Sequence, residues 1–161
     1  MRFPVHFIAC LVVFALTTVT ARADETAKRK TLEDAVNHAV KVIEAKGKAG
    51  LEELKSFRFE DGEGYIYVTD MNAVVIMHPV APELLNKDCT TIKDARGKFF
   101  GAEMKGKAEK YGYGWTSYWW PNPKNNNTPE LKCSHFKVAK MGDQKVIVYA
   151  ALFGVSEAGC K

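Results

Sequence analysis

Residues 64–79 read GYIYVTDMNAVVIMHP, a run of β-branched and aromatic residues that predicts two strands joined by a tight turn at Met71–Asn72. With that turn, Tyr67 is expected to pair with Ile76, and Tyr65 with His78. Because side chains alternate across a strand, we expect one apolar face that packs on a helix and one polar face that lines a small-molecule pocket. The apolar face should carry Ile66, Val68, Val75 and Met77, and the polar face Tyr65, Tyr67, Thr69, Ile76 and His78.

A helical pattern precedes this hairpin. After a polar lead-in at residues 24–30, residues 31–45 carry apolar side chains at helical spacing, and residues 51–57 resume the pattern. We predict one long helix that is kinked or broken near Gly47 and Gly50.

A long connection and further regular elements follow the hairpin. Residues 79–97 contain two prolines and no sustained period, which predicts a loop with a single helical turn at Pro82–Asn86. The order of the elements predicts an α+β fold with a five-stranded antiparallel sheet. The later elements are a helix at 98–111 with Phe100, Met104, Ala108 and Tyr111 on one side, a strand at 111–123, and strands at 131–141 and 144–154 about Gly142–Asp143.

The N-terminus has the features of a bacterial, Sec-type signal peptide. A short basic start is followed by a mostly apolar run at residues 3–19 and by the small-residue motif ARA at 21–23, which predicts cleavage before Asp24. An uncleaved membrane anchor is the alternative, but this run is shorter than the about 20 apolar residues that an anchor needs. The mature chain, residues 24–161, is expected to be one domain in the periplasm or outside the cell.

The charge and hydropathy of the mature chain argue against two classes of protein. Loss of Arg2 and Arg22 with the signal peptide lowers the formal net charge from +4 to +2. So weak an excess argues against nucleic acid as a partner. No later run is long and apolar enough to span a bilayer, so the mature protein is expected to be soluble.

The cysteines permit one disulfide without identifying it. Cys89, Cys133 and Cys160 remain after cleavage, and three cysteines allow three single pairings with one thiol left over. No C-x-x-C pair is present, and Cys133 with His135 is weak evidence for a metal site. Buried structural roles are therefore favoured for these residues.

Catalytic signatures are missing from the sequence, which has no G-x-S-x-G, H-E-x-x-H or G-x-G-x-x-G. The segment GAEMKGKA at 101–108 nearly matches a phosphate-binding loop, but Ala108 stands where a hydroxyl should hold magnesium. A nucleophile pair of Cys133 or Cys89 with His78 has no support in the sequence. We therefore expect neither an enzyme nor a cofactor.

An aromatic strand and a loop lysine are further candidates for a ligand site. The segment WTSYWW at 115–120 carries rings that suit either a core or a pocket. Trp115 and Tyr118 fall on opposite faces of a strand, so at most one should point into a pocket unless a bulge intervenes. Lys87 is a cation in a loop that would fold over the sheet.

The segments GYIYVTDMNAVVIMHPVAPELLNKD at 64–88 and GWTSYWWPNP at 114–123 together point to a family. They match Tyr-x-x-x-x-Asp, a short turn, an apolar strand, His-Pro, a Pro-Glu-Leu-x-Gly-Lys-like loop, and a later Gly-Trp-x-x-Tyr-Trp-Trp-Pro strand. The chain thereby resembles the single Cache domain, in its second sequence subtype, over roughly residues 31–153. Asn86 replaces the glycine that is usual before the lysine, so the loop backbone is expected to differ there.

The resemblance implies a PAS-like sheet behind a long N-terminal helix, with a pocket between the sheet and the loop-helix segment after the second strand. It implies an extracytoplasmic sensor of small organic ligands, often short carboxylates, although such domains usually lie between two membrane helices of a chemoreceptor or histidine kinase. This chain resembles a free-standing exported form that signals through a membrane-bound partner protein. The expected ligand contacts are Tyr65, Tyr67, His78, Lys87, Trp115 and Tyr118.

Two other functions compete with a ligand-binding sensor. One is an enzyme or metal-binding protein that uses His78, His135 and Cys133. The other is an interaction protein whose pocket is vestigial. The sequence does not identify the ligand, the partner or the oligomeric state.

Overall fold

The computed structural model describes the backbone of residues 6–161 and the side chains of residues 22–161. Its regular elements are α1 (His6–Lys46), α2 (Lys48–Leu54), β1 (Ile66–Asp70), β2 (Val75–Met77), α3 (Phe100–Tyr111), β3 (Tyr113–Asn122), β4 (Thr128–Met141) and β5 (Gln144–Phe153). The strands form one antiparallel sheet in the order β2-β1-β5-β4-β3. The predicted α+β class, with a five-stranded antiparallel sheet and a long N-terminal helix, is confirmed.

The first helix is longer than the sequence pattern predicted. It begins at His6 and includes residues 24–30, which we had expected to be a polar lead-in. It ends at Lys46 because Gly47 adopts a left-handed φ of 58°, which confirms the predicted break. Its apolar side packs across β4 and β5 and includes the fully buried Leu32, Val36 and Ile43.

The predicted signal peptide includes residues 1–5, which lie outside the described part of the chain. Cleavage before Asp24 therefore stays a prediction, and α1 runs through this position without a break. Within residues 6–161, no helix combines the length and the apolar character that crossing a membrane requires.

A carboxylate fixes the turn between β1 and β2. Oδ1 of Asp70 accepts N–H bonds from Asn72 and Val74, each at 2.9 Å. Ala73 closes the turn with a φ of 66°. The turn is thus one residue longer than the predicted Met71–Asn72.

The longer turn changes the register of the hairpin. Val68 pairs with Met77 but Thr69 pairs with Val75, so Ile76 is an extra residue in β2. The bulge reverses the predicted faces of two side chains, since Val75 faces the tyrosines and Ile76 packs toward α1. Residues on either side of the bulge keep their predicted faces.

The third helix covers the face of the sheet opposite α1. Gly101 allows its first turn to approach the preceding segment, because a Cβ there would lie 2.1 Å from the carbonyl oxygen of Cys89. Tyr111, expected on the same side as the buried residues, is 59% exposed. The helix ends at this residue, and Gly112 turns the chain toward β3 with a φ of 78°. The buried side of α3 consists of Phe100, Gly101, Met104 and Ala108.

The long connection between β2 and α3 lies against the sheet. Its middle runs beside β2, where Val75 donates its N–H to the carbonyl of Lys87 at 3.0 Å. Near its end, the carboxylate of Asp94 accepts the N–H of Trp119 at 2.9 Å. The connection is therefore tied to both edges of the sheet. It contains two short 3₁₀ turns, Pro82–Leu84 and Cys89–Thr91.

One disulfide joins Cys133 of β4 to Cys160, and Cys89 keeps a free thiol. This selects one of the three pairings that the sequence allowed. The tail that carries Cys160 also contacts α1, since the hydroxyl of Ser156 donates to Glu25 at 2.7 Å. The disulfide thus ties the C-terminal tail to β4, an inner strand of the sheet.

Candidate ligand-binding site

A cavity of about 490 Å³ lies between the sheet and the connection that leads to α3. Strands β1, β4 and β5 form its floor, and β3 with α3 forms one wall. The connection forms its roof. Four of the six residues predicted as ligand contacts line it, namely Tyr65, Tyr67, His78 and Tyr118.

Tyr67 stands at the centre of an aromatic stack on the floor of the cavity. Its ring lies parallel to that of Tyr149, with the centroids 4.5 Å apart, and stacks on His78 at 5.3 Å. Burial raises the pKa of Tyr67 well above its usual value, so the phenol is a neutral hydrogen-bond donor. Its hydroxyl has no hydrogen-bond partner among the described residues and is not sealed from the cavity.

Tyr118 contributes a second buried phenol from the opposite side. Its ring stacks on Phe100 with the centroids 4.2 Å apart, which couples β3 to the first turn of α3. Burial raises the pKa of Tyr118 well above its usual value as well. Because Tyr118 and Trp115 have opposite strand parity, only the former can face the cavity.

His78 is held in one tautomer. The backbone N–H of Ala81 donates to Nδ1 of His78 at 3.0 Å, which leaves the proton on Nε2. Burial, and then the charge of Lys132, lowers the pKa of His78 to about 4. The imidazole is therefore neutral at physiological pH and offers one N–H donor from Nε2.

Lys132 is the cation of the cavity, and the sequence analysis missed it. Its side chain is only 6% exposed, and its Nζ lies 3.5 Å from the hydroxyl of Tyr65. The ammonium also lies above the rings of Tyr65 and Phe153, at 5.2 and 4.9 Å from their centroids. Burial lowers the pKa of Lys132 to about 8, while the carboxylate of Glu63 raises it. Among the described residues, no carboxylate forms an ion pair with it.

A signal for Lys132 was present in the strand pattern. In the run LKCSHFK, Cys133 and His135 share one face, so Lys132, Ser134 and Phe136 share the other. Phe136 and Ser134 are fully buried, which places the lysine within a buried row. The sequence does not say which face of β4 meets the cavity, so the lysine could not be singled out.

The structure places Lys87 and Trp115 outside the lining of the cavity. The backbone carbonyl of Lys87 accepts a hydrogen bond from β2, and its side chain is exposed to solvent. Trp115 lies on the α1 side of the sheet, where it stacks on His135 at 4.4 Å and lies under the guanidinium of Arg29 at 4.7 Å. The strand parity noted above excludes Trp115 from the cavity unless the sheet has a bulge, and β3 pairs regularly with β4.

The mouth of the cavity carries an ion pair. Glu63, in the loop before β1, pairs with Lys124, in the turn after β3, and both line the cavity. This contact joins the two sides of the opening. Because it neutralises Lys124, it leaves Lys132 as the unpaired cation among the described lining residues.

The residues considered for a metal site do not come together. Cys133 is in the disulfide and cannot ligate a metal. His135 is on the α1 face, with Nδ1 3.0 Å from the carbonyl oxygen of Gly114, whereas His78 lines the cavity. Among the described residues, no group of three or more His, Cys, Asp or Glu side chains could hold a metal ion.

Among curated proteins, the chain is similar to the methyl-accepting chemotaxis protein McpP of Pseudomonas putida, with 30% identity over 97 residues. The match covers 60% of this chain but only 18% of that protein. The match thus spans less than a fifth of the length of that protein.

Solved structures show the same fold at similar identity. One, described as the structural basis for carboxylic acid recognition by a Cache chemosensory domain, has a TM-score of 0.67 and 27% identity, covering 80% of this chain and 94% of that one. Another, a periplasmic sensor domain of a chemotaxis protein, has a TM-score of 0.59 and 26% identity, covering 87% and 96%.

The family model that matches, dCache_2, is described as a Cache domain and covers residues 16–143, well over half of the chain. The described residues carry a single sheet of this kind. On this match, and in agreement with the resemblance seen in the sequence, the chain belongs to the Cache domain family.

Proposed function

We propose that the cavity binds a small organic acid and that the chain is an exported ligand-sensing module that signals through a membrane-bound partner. Similar structures support the sensing role, since they are sensor domains of chemotaxis proteins, one of them described for carboxylic acid recognition. The site would use Tyr65, Tyr67, His78 and Tyr118 together with Lys132.

The observation that carries the proposal is the buried ammonium of Lys132. A buried charge is costly unless it is paired and hydrogen-bonded, and this one forms no ion pair with a carboxylate of the described residues. A ligand carboxylate would supply the missing counter-ion. The phenols of Tyr65 and Tyr67 and the Nε2–H of His78 are neutral donors of the kind that a carboxylate accepts.

Export and signalling through a partner are proposed from the N-terminal sequence and from the similar proteins. The apolar run and ARA motif before Asp24 are typical of a signal peptide, and one similar structure is a periplasmic sensor domain. The similarity to a methyl-accepting chemotaxis protein of Pseudomonas putida supports a role in signalling. Signalling through a membrane-bound partner is part of our proposal.

We also infer that the site does not turn over its ligand. A general base works best when its pKa is near the working pH, whereas burial lowers the pKa of His78 to about 4. Burial, with the charge of Asp88, raises the pKa of the free thiol of Cys89 to about 11, which leaves little thiolate to attack. These groups are suited to hold a ligand rather than to react with it.

Calorimetry with propionate and with uncharged propionamide tests the proposal. Propionate should bind and propionamide should not, because only the acid supplies the counter-ion. Lys132→Met should weaken propionate binding at least about thirtyfold, the lower end of the effect of removing one partner of a buried ion pair. Lys87→Met is the matched control and should bind like the wild type, because that side chain is exposed.

Two outcomes would contradict the proposal. Equal binding of propionate and propionamide would mean that the ammonium does not recognise the ligand. The absence of binding across a panel of small acids, amino acids and amines would favour an interaction protein with a vestigial pocket.

A further inference from the structure

We propose that the ligand is a monocarboxylate with an apolar tail of about four or more carbons, whose carboxylate binds at Lys132 and whose tail lies against the wall formed by α3 and β3. This inference rests on the proposed function and adds the charge, length and polarity of the ligand. It is carried by the charges, the aromatic wall and the volume of the cavity.

The charges of the cavity favour a single carboxylate. Lys124, at the mouth, is neutralised by Glu63, so among the described lining residues Lys132 is the cation available to a ligand. A second ligand carboxylate would find no counter-ion and would approach Asp61 and Glu63, which also line the opening. Like charges in a partly buried site repel, so a dicarboxylate should bind poorly.

The wall beside Lys132 is apolar. Phe100 stacks on Tyr118, and Trp120 meets Phe100 edge-on with the centroids 5.5 Å apart. Ile92, at the end of the roof, packs against the same cluster. In the sheet, Tyr118 lies directly opposite Lys132, so the tail of an acid bound at the ammonium would pass along these rings.

The volume exceeds what the shortest acids need. A water molecule occupies about 30 Å³ in the liquid. A cavity of about 490 Å³, its mouth included, therefore has room for roughly sixteen water-sized groups. Acetate and propionate have only about four or five non-hydrogen atoms and would leave the aromatic wall uncovered. A longer tail would cover that wall and displace water from it.

A chain-length series on the wild-type protein tests the inference. Each methylene buried should improve the affinity by about three- to fourfold. Calorimetry with straight-chain acids from propionate to hexanoate should therefore show a steady rise to about thirty- to sixtyfold. Succinate should bind at least about tenfold more weakly than butyrate, because its second carboxylate finds no counter-ion, either against the apolar wall or near Asp61 and Glu63.

A variant that fills the tail region supplies a second test. Ile92→Trp enlarges a partly buried side chain of the roof that packs against the aromatic wall. It should reduce hexanoate binding to the level of propionate while propionate binding stays within about threefold of the wild type. Thermal unfolding of the variant would show that it is folded, and the wild-type series does not depend on it.

The outcomes separate this inference from the function on which it rests. If propionate binds but the affinity is flat or falls with chain length, or if succinate binds as well as butyrate, the apolar-tail inference is wrong and the acid-binding function stands. If no acid of any length binds, the proposed function is wrong, and the inference that rests on it is wrong as well. A rising series that Ile92→Trp does not affect would place the tail elsewhere and would also overturn the inference.

Discussion

Replacing Lys132 by methionine is expected to make the unliganded protein more stable. The pKa of Lys132 is lowered from 10.5 to about 8, chiefly by burial, so the folded state disfavours the charged amine that the unfolded chain carries. At about 1.36 kcal/mol per pKa unit, this difference corresponds to about 3 kcal/mol at pH 7. Methionine has a similar length, is apolar and suits the same space, so Lys132→Met should remove this cost.

The pH dependence gives the sign of the effect. A lysine whose folded-state pKa is depressed leaves the unfolded chain with more bound protons between about pH 8 and 10.5. The contribution of Lys132 to the free energy of unfolding of the wild type should therefore rise with pH through this window. Comparison with the variant removes the contribution of the other titrating groups. The advantage of Lys132→Met should be largest below pH 8 and should shrink as the pH approaches 10.5.

Urea unfolding followed by circular dichroism measures this difference. We expect the variant to gain about 3 kcal/mol at pH 7, and the exposed control Lys87→Met to change by less than about 0.5 kcal/mol. A variant that is less stable than the wild type at pH 7, or a difference that grows with pH, would refute the reasoning. Stabilisation together with loss of acid binding would show that the ammonium is retained for the ligand and not for the fold.

Three further expectations concern the site, the disulfide and the N-terminus. Tyr67→Phe should weaken acid binding by roughly ten- to hundredfold, since a hydrogen bond to a charged group contributes about 1.5–3 kcal/mol; unchanged affinity by calorimetry would mean that this phenol is ordinary packing. Changing both Cys133 and Cys160 to serine should lower the free energy of unfolding by about 2–4 kcal/mol in urea titrations, because the disulfide closes a loop across a sequence separation of 27 residues. The mass of exported protein should correspond to a chain that begins at Asp24, and material that retains Met1 would rule out the predicted cleavage.

The aromatic face of β1 could be predicted from the sequence alone. Alternation along a strand is fixed by covalent geometry, so Tyr65 and Tyr67 share a face however the strand is packed. The break of the long helix at Gly47 was similarly local, because it depends on a backbone conformation that glycine adopts without strain. The strand order could not be read from such rules, since it depends on contacts between distant segments.

Some residues of the site could be placed only from the tertiary structure, because neighbouring strands or loops determine their surroundings. The bulge at Ile76 depends on how β1 and β2 pair. Because of it, Val75 faces the cavity in place of Ile76. The exposure of Lys87 follows from the pairing of its backbone with β2. Neither contact is encoded in the periodicity of a single segment.

The sequence by itself determined the α+β class, the helix break and the face of β1 that carries Tyr65 and Tyr67, because these follow from backbone geometry within one segment. Only the tertiary structure decided that Cys160 pairs with Cys133 and that Lys132 is the buried cation. The alternation of β4 separates Lys132 from Cys133 but does not say which faces the cavity. That choice is made by α1, which buries one face of the sheet, and by α3 with its connection, which encloses the other.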